Sequence, residues 1–101
     1  MDNFRKWLHQ ERRNCSVSVS ELASSIGVSK MQVVSWQKIG SAFVPDTKEL
    51  SNICSTFAEQ YRSCFRLSPD ETFIIGNVLF RESVQKIILD NTLRSIRHEG
   101  I

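Results

Sequence analysis

Apolar side chains recur every three to four residues through most of this chain, the period of α-helices that each bury one face. Phe4, Trp7 and Leu8 form the first stripe, with Arg5, Lys6, Arg12 and Arg13 largely off it. Asp2 stands where an N-cap belongs, and Asn14 is placed to stop this helix. Val19, Leu22, Ala23 and Ile26 make a second stripe over residues 19–26. Val33 and Trp36 mark a third helix from Lys30 to about Ile39, and Leu50, Ile53, Cys54, Phe57 and Tyr61 a fourth. These stripes are expected to meet in one small core.

Polar residues place the helix starts. Ser18-Val19-Ser20-Glu21 and Ser29-Lys30-Met31-Gln32 both read as capping boxes, in which the serine oxygen takes the N–H three residues on and the Glu or Gln reaches back. Gly27 lies between them, free to adopt φ > 0 and turn the chain sharply from one helix into the next. Asp46 with Glu49 starts the fourth helix. Ser68-Pro69-Asp70-Glu71 starts a fifth, with proline at the first helical position and acids in the first turn.

Residues 73–80, Phe-Ile-Ile-Gly-Asn-Val-Leu-Phe, read either as a hairpin turning at Gly76-Asn77 or as a helix broken there. A hairpin with three-residue arms is marginal alone. The downstream pairs Glu82–Lys86, Lys86–Asp90 and Asp90–Arg94 favour a short helix, a kink at Gly76 and a long helix to about His98. This last third carries more apolar residues than a helix covering one face needs. Self-association is the expected use, through Phe73, Ile75, Leu79, Phe80, Val84, Ile87 and Ile88. Their spacing departs from a strict heptad, which predicts a globular or swapped interface rather than a zipper. The competing reading folds this segment back over helices one and four.

Composition narrows the class. With 101 residues and 41% hydrophobic side chains, one compact core is expected. No apolar run is long enough for a bilayer span or a signal peptide, which predicts a cytoplasmic protein with no membrane partner. Cys15, Cys54 and Cys64 fit neither a disulfide framework nor a metal-ligand spacing, and His9 and His98 stand far apart. Reduced thiols, no metal and no cofactor are expected. No nucleophile elbow or other catalytic motif occurs, so an enzyme is not expected. The net charge of +2 is unevenly spread: residues 1–45 hold six Lys/Arg against three Asp/Glu, and residues 46–101 seven against eight. That is a mild electrostatic footprint for a polyanion.

From Val19 to Leu50, within the N-terminal half of the chain, the sequence resembles the lambda-repressor-like (Cro/C1-type) helix-turn-helix regulators. The matching residues are Glu21-Leu22-Ala23, Gly27-Val28-Ser29, Val33, Trp36, Pro45 and Leu50. Val34, Gln37 and Ile39 stand where the family often has Ser or Thr, Glu, and Gly. The resemblance implies an all-α, five-helix lambda-repressor-like helix-turn-helix fold with a C-terminal helical extension for oligomerisation, residues 1–67 being the DNA-binding domain and 68–101 the helical oligomerisation segment. It also implies a DNA-binding regulator of transcription, of phage or mobile-element type, that binds an operator as a homodimer. The recognition helix would then be 30–39, with Lys30, Met31, Val34, Ser35 and Gln32 facing bases. Ser18, Ser20, Ser29, Gln37, Lys38 and Ser41 would hold phosphates. Arg5, Lys6, Arg12 and Arg13 are further phosphate candidates. The alternative is an antitoxin or other protein-interaction module whose C-terminal segment covers a partner protein.

Overall fold

The computed structural model describes residues 2–38 and 43–99, with side chains as far as Ser95. It is all-helical: α1 (Asn3–Cys15), α2 (Val19–Ile26), α3 (Lys30–Gln37), α4 (Thr47–Phe65) and α5 (Pro69–Glu99). Phe4, Trp7 and Leu8 of α1, Leu22 and Ala23 of α2, Val33 and Trp36 of α3, and Leu50, Ile53 and Phe57 of α4 form one buried cluster. Trp7 stacks on Phe4 and meets Phe57 edge-on, so α1 and α4 are joined by an aromatic contact. Both tryptophans are therefore structural.

Three helix starts are closed as their sequences specify, and a fourth in part. Ser18 Oγ accepts from Glu21 N at 3.1 Å and Asp46 Oδ1 from Glu49 N at 2.7 Å, and in both boxes the glutamate side chain bonds back to the cap N–H. Ser68 and Glu71 make the same reciprocal pair at the start of α5. At α3 the serine half forms, Ser29 Oγ accepting from Gln32 N at 3.1 Å, but the Gln32 amide turns to Glu49 instead.

The start of α1 is different. Asp2 occupies the cap position, yet its side chain makes no cap bond to the helix. The first-turn N–H groups of Asn3 and Phe4, which have no partner within the helix, are taken by the two carboxylate oxygens of Asp90, at 2.9 and 3.0 Å. Long-range packing supplies the cap that local sequence was expected to supply.

The ends of α1, α2 and α4 follow one pattern. Ser16, Gly27 and Arg66 all have positive φ, and the next residue's N–H reaches back to the carbonyl five positions earlier: Val17 to Arg12, Val28 to Ala23, Leu67 to Arg62. The α3 helix stops at Gln37, because Lys38 is already extended at ψ 132°.

The kink expected at Gly76 is replaced by a continuous helix. A Cβ on Gly76 would lie 3.7 Å from the Ala58 Cβ, an ordinary contact distance, so Gly76 sits where α5 passes α4. The expected charge pairs along α5 give way to inward contacts. Glu82 accepts the Trp7 indole N–H at 3.3 Å, and Asp90 caps α1. Leu79, expected on a self-association face, is 5% exposed and belongs to the core. Ile75, Phe80, Val84 and Ile87 are half-buried against that core, whereas Phe73 and Ile88 are 71% and 57% exposed. The helix thus lies back along α1 and α4 while leaving part of its apolar surface open.

Candidate nucleic-acid interface

The turn between α2 and α3 is built from Gly27, Val28 and Ser29. Gly27 has φ +75°, and nothing lies within 4 Å of where a Cβ would stand, so backbone conformation alone makes glycine the suitable residue. Val28 packs on the core and Ser29 caps the next helix. Three residues therefore end one helix, turn the chain and begin another.

The α3 helix is only eight residues long and is held from several sides. Val33 and Trp36 are buried beneath it. Arg12 Nε donates to Gln37 Oε1 at 2.9 Å while Arg12 Nη1 donates to the Val17 carbonyl at 3.1 Å, joining α1, the α1–α2 turn and the end of α3. Gln37 Nε2 donates to the Val33 carbonyl at 3.2 Å. At the other end, Gln32 Nε2 donates to Glu49 Oε2 at 2.8 Å, and Glu49 Oε1 accepts from Asp46 N at 2.9 Å. One carboxylate thus closes the α4 start and braces the first turn of α3.

The opposite side of α3 faces outward. Lys30 is exposed, Met31 is 76% exposed and Val34 47% exposed. Ser35 is half-buried, and its hydroxyl donates to the Gln32 carbonyl at 2.6 Å, which leaves its oxygen as an acceptor. Lys30, Met31 and Val34 consequently share one free face, with Ser35 at its edge.

The other expected contacts separate into groups. Ser18, Ser20 and Ser29 are exposed around the two helix starts, the first and third with their oxygens engaged as caps. Lys38 is exposed just after α3. Both polar atoms of Gln37 are engaged inside the protein, and Arg12 is engaged with it; Ser41 lies outside the described residues. The bracing role of Arg12 and Glu49 was not legible in the sequence. Their partners stand 25 and 17 positions away, beyond any local spacing rule.

Elsewhere, Cys15 and Cys54 are buried free thiols, each pushed up to about 11 chiefly by burial, and Cys64 is an exposed free thiol. Glu11 accepts from the Tyr61 hydroxyl at 2.8 Å; burial raises its carboxyl above the ordinary range despite that bond. No cluster of His, Cys, Asp or Glu fit for a metal ion occurs among the described residues, and no described helix is long and apolar enough to cross a membrane. The chain matches no protein-family model, no curated protein and no solved structure.

Proposed function

We propose that this protein is a sequence-specific double-stranded-DNA-binding regulator of transcription that binds its operator as a homodimer, with α3 entering the major groove. The observation that carries the reading is the two-sidedness of α3. A helix of eight residues buries Val33 and Trp36 and is braced by Arg12 and Glu49, yet its other face presents Lys30, Met31 and Val34 to solvent. Rigid anchoring of a short helix whose outer side chains have no intramolecular duty suits a reading head. The resemblance of residues 19–50 to lambda-repressor-like regulators points the same way.

In this reading Lys30 donates to guanine O6 or N7, and Met31 and Val34 pack against thymine methyl groups. Ser35, its proton already committed to the Gln32 carbonyl, accepts from adenine N6 or cytosine N4. Gln32 contributes through its side-chain Oε1 and its second amide N–H, the first being held by Glu49. Ser18, Ser20, Ser29 and Lys38 meet phosphates and set the register. Arg12 and Gln37 are positioning residues.

The test is selection of bound duplexes from a random pool, followed by competition binding with Lys30→Ala/Ser35→Ala. Wild-type protein is expected to enrich a defined site, and the double variant to lose discrimination between that site and random DNA while its helical content is unchanged. A wild-type protein that enriches nothing, or a double variant with undiminished discrimination, overturns the proposal.

A further inference from the structure

The buried residues of α5, Thr72, Leu79, Ser83 and Asp90, define the line of the helix that faces its own core. Beside that line runs a second one. Positions 73, 77, 80, 84, 87 and 91 follow at alternating spacings of four and three, the seam of two and a half heptads. Phe73, Phe80 and Ile87 occupy one recurring position, and Asn77, Val84 and Asn91 the other. The full apolar set of the segment hides this period, because it includes residues that the core takes up. Phe80, Val84 and Ile87 remain half-buried, while Phe73, Asn77 and Asn91 are exposed.

The seam borders an open groove between α4 and α5 of about 570 Å³, which continues past Phe80 into a second of about 300 Å³ that reaches Ile88. The α4 wall of the first groove is formed partly by Ser51, Ser55 and Ala58, side chains small enough to admit a neighbouring helix.

We propose that this seam docks a second copy of the chain, with the two α5 helices parallel and in register, so that Asn77 and Asn91 each face their counterparts. The proposal deepens the dimer named above and rests on that reading. Three features select a second copy as occupant. An asparagine amide both donates and accepts, so an identical residue opposite satisfies it, whereas an apolar partner leaves it unpaired. None of the six seam positions is charged, so the seam itself sets no like charges against each other. A seam about 27 Å long, on a face roughly 20 Å wide where α4 and α5 lie side by side, offers at most about 500 Å² per protomer, since Phe80, Val84 and Ile87 are partly covered by their own core. The total of at most about 1,000 Å² is that of a small, reversible interface. Asparagines at the Asn77 and Asn91 positions also fix register and strand number in parallel helix pairs.

Full-length protein carrying Cys64→Ser, which removes the exposed thiol, is compared with Asn77→Cys and Asn91→Cys variants made in that background. Under mild oxidation each variant is expected to form a covalent dimer with itself, and a mixture of the two is expected to yield little 77-to-91 linkage in peptide mass spectra. In sedimentation the wild-type chain is expected to be dimeric, and Phe73→Asp/Ile88→Asp, both exposed sites, to weaken association at least tenfold with unchanged helical content. A predominant 77-to-91 cross-link overturns the parallel register. A monomeric wild type, a dimer unaffected by Phe73→Asp/Ile88→Asp, or a monomer that takes up a different protein on this face overturns the docking itself. None of these readouts contains DNA, so the seam can fail while the operator-binding reading stands, and the reverse.

Discussion

Asp90, in the second half of the last helix, accepts the backbone N–H of Phe4 at 3.0 Å and thereby caps the first. The same carboxylate takes the Asn3 N–H and the Asn3 side-chain amide, both at 2.9 Å. Two ends of the chain 86 residues apart are joined by a bond type that is ordinarily made within three residues.

Asp90→Ala is expected to remove that cap and leave two helix N–H groups, one of them buried, without a partner, at a cost of about 2 kcal/mol. For a chain of this size that corresponds to roughly 10 °C in Tm. Hydrogen exchange should quicken at the first turn of α1. An unchanged melting curve would refute the capping role.

The same bond sets a pH dependence. Burial opposes the charged form of Asp90, but the N–H groups of Phe4 and Asn3 outweigh it and hold the carboxyl below its ordinary value of 3.8. A depressed folded-state pKa gives stability that is present above the unfolded value and lost as pH falls through the folded one. The urea midpoints of wild type and Asp90→Asn are therefore expected to differ at neutral pH and to converge only as pH falls below 3.8 and through the lower folded-state value. Glu11, raised by burial, works in the opposite sense: its contribution is present below 4.5 and is lost as pH rises through its folded value.

Gly27 and Gly76 should respond oppositely to alanine. At Gly27, φ +75° strains any L side chain although space is free, so Gly27→Ala is expected to cost about 1 kcal/mol. At Gly76 the added methyl meets Ala58 at 3.7 Å, an ordinary contact, within a helix interior where alanine is favoured by up to about 1 kcal/mol. Thermal melts of the two variants should move in opposite directions.

The three thiols should differ in reactivity. Cys64 is exposed, whereas Cys15 and Cys54 are buried and pushed up to about 11. A chromogenic disulfide reagent at about pH 8 is expected to titrate one thiol rapidly in the native protein and all three after denaturation. Rapid native reaction of more than one would contradict the burial.

The sequence by itself determined where helices begin and which faces they bury. Capping bonds join residues three apart, and apolar stripes repeat at the helical period, so Ser18, Asp46 and Ser68 and the stripes of α1 to α4 were readable as written. Gly27 was legible because glycine advertises positive φ, while Ser16 and Arg66, which adopt it without that signal, were not. Tertiary structure decided the rest: that Asp90 rather than Asp2 closes α1, that Gln32 serves Glu49 rather than its own cap, that α5 runs unbroken through Gly76, and that Leu79 belongs to the core. These outcomes depend on which surfaces meet when helices pack, and for groups 17 to 87 positions apart no local period carries that information.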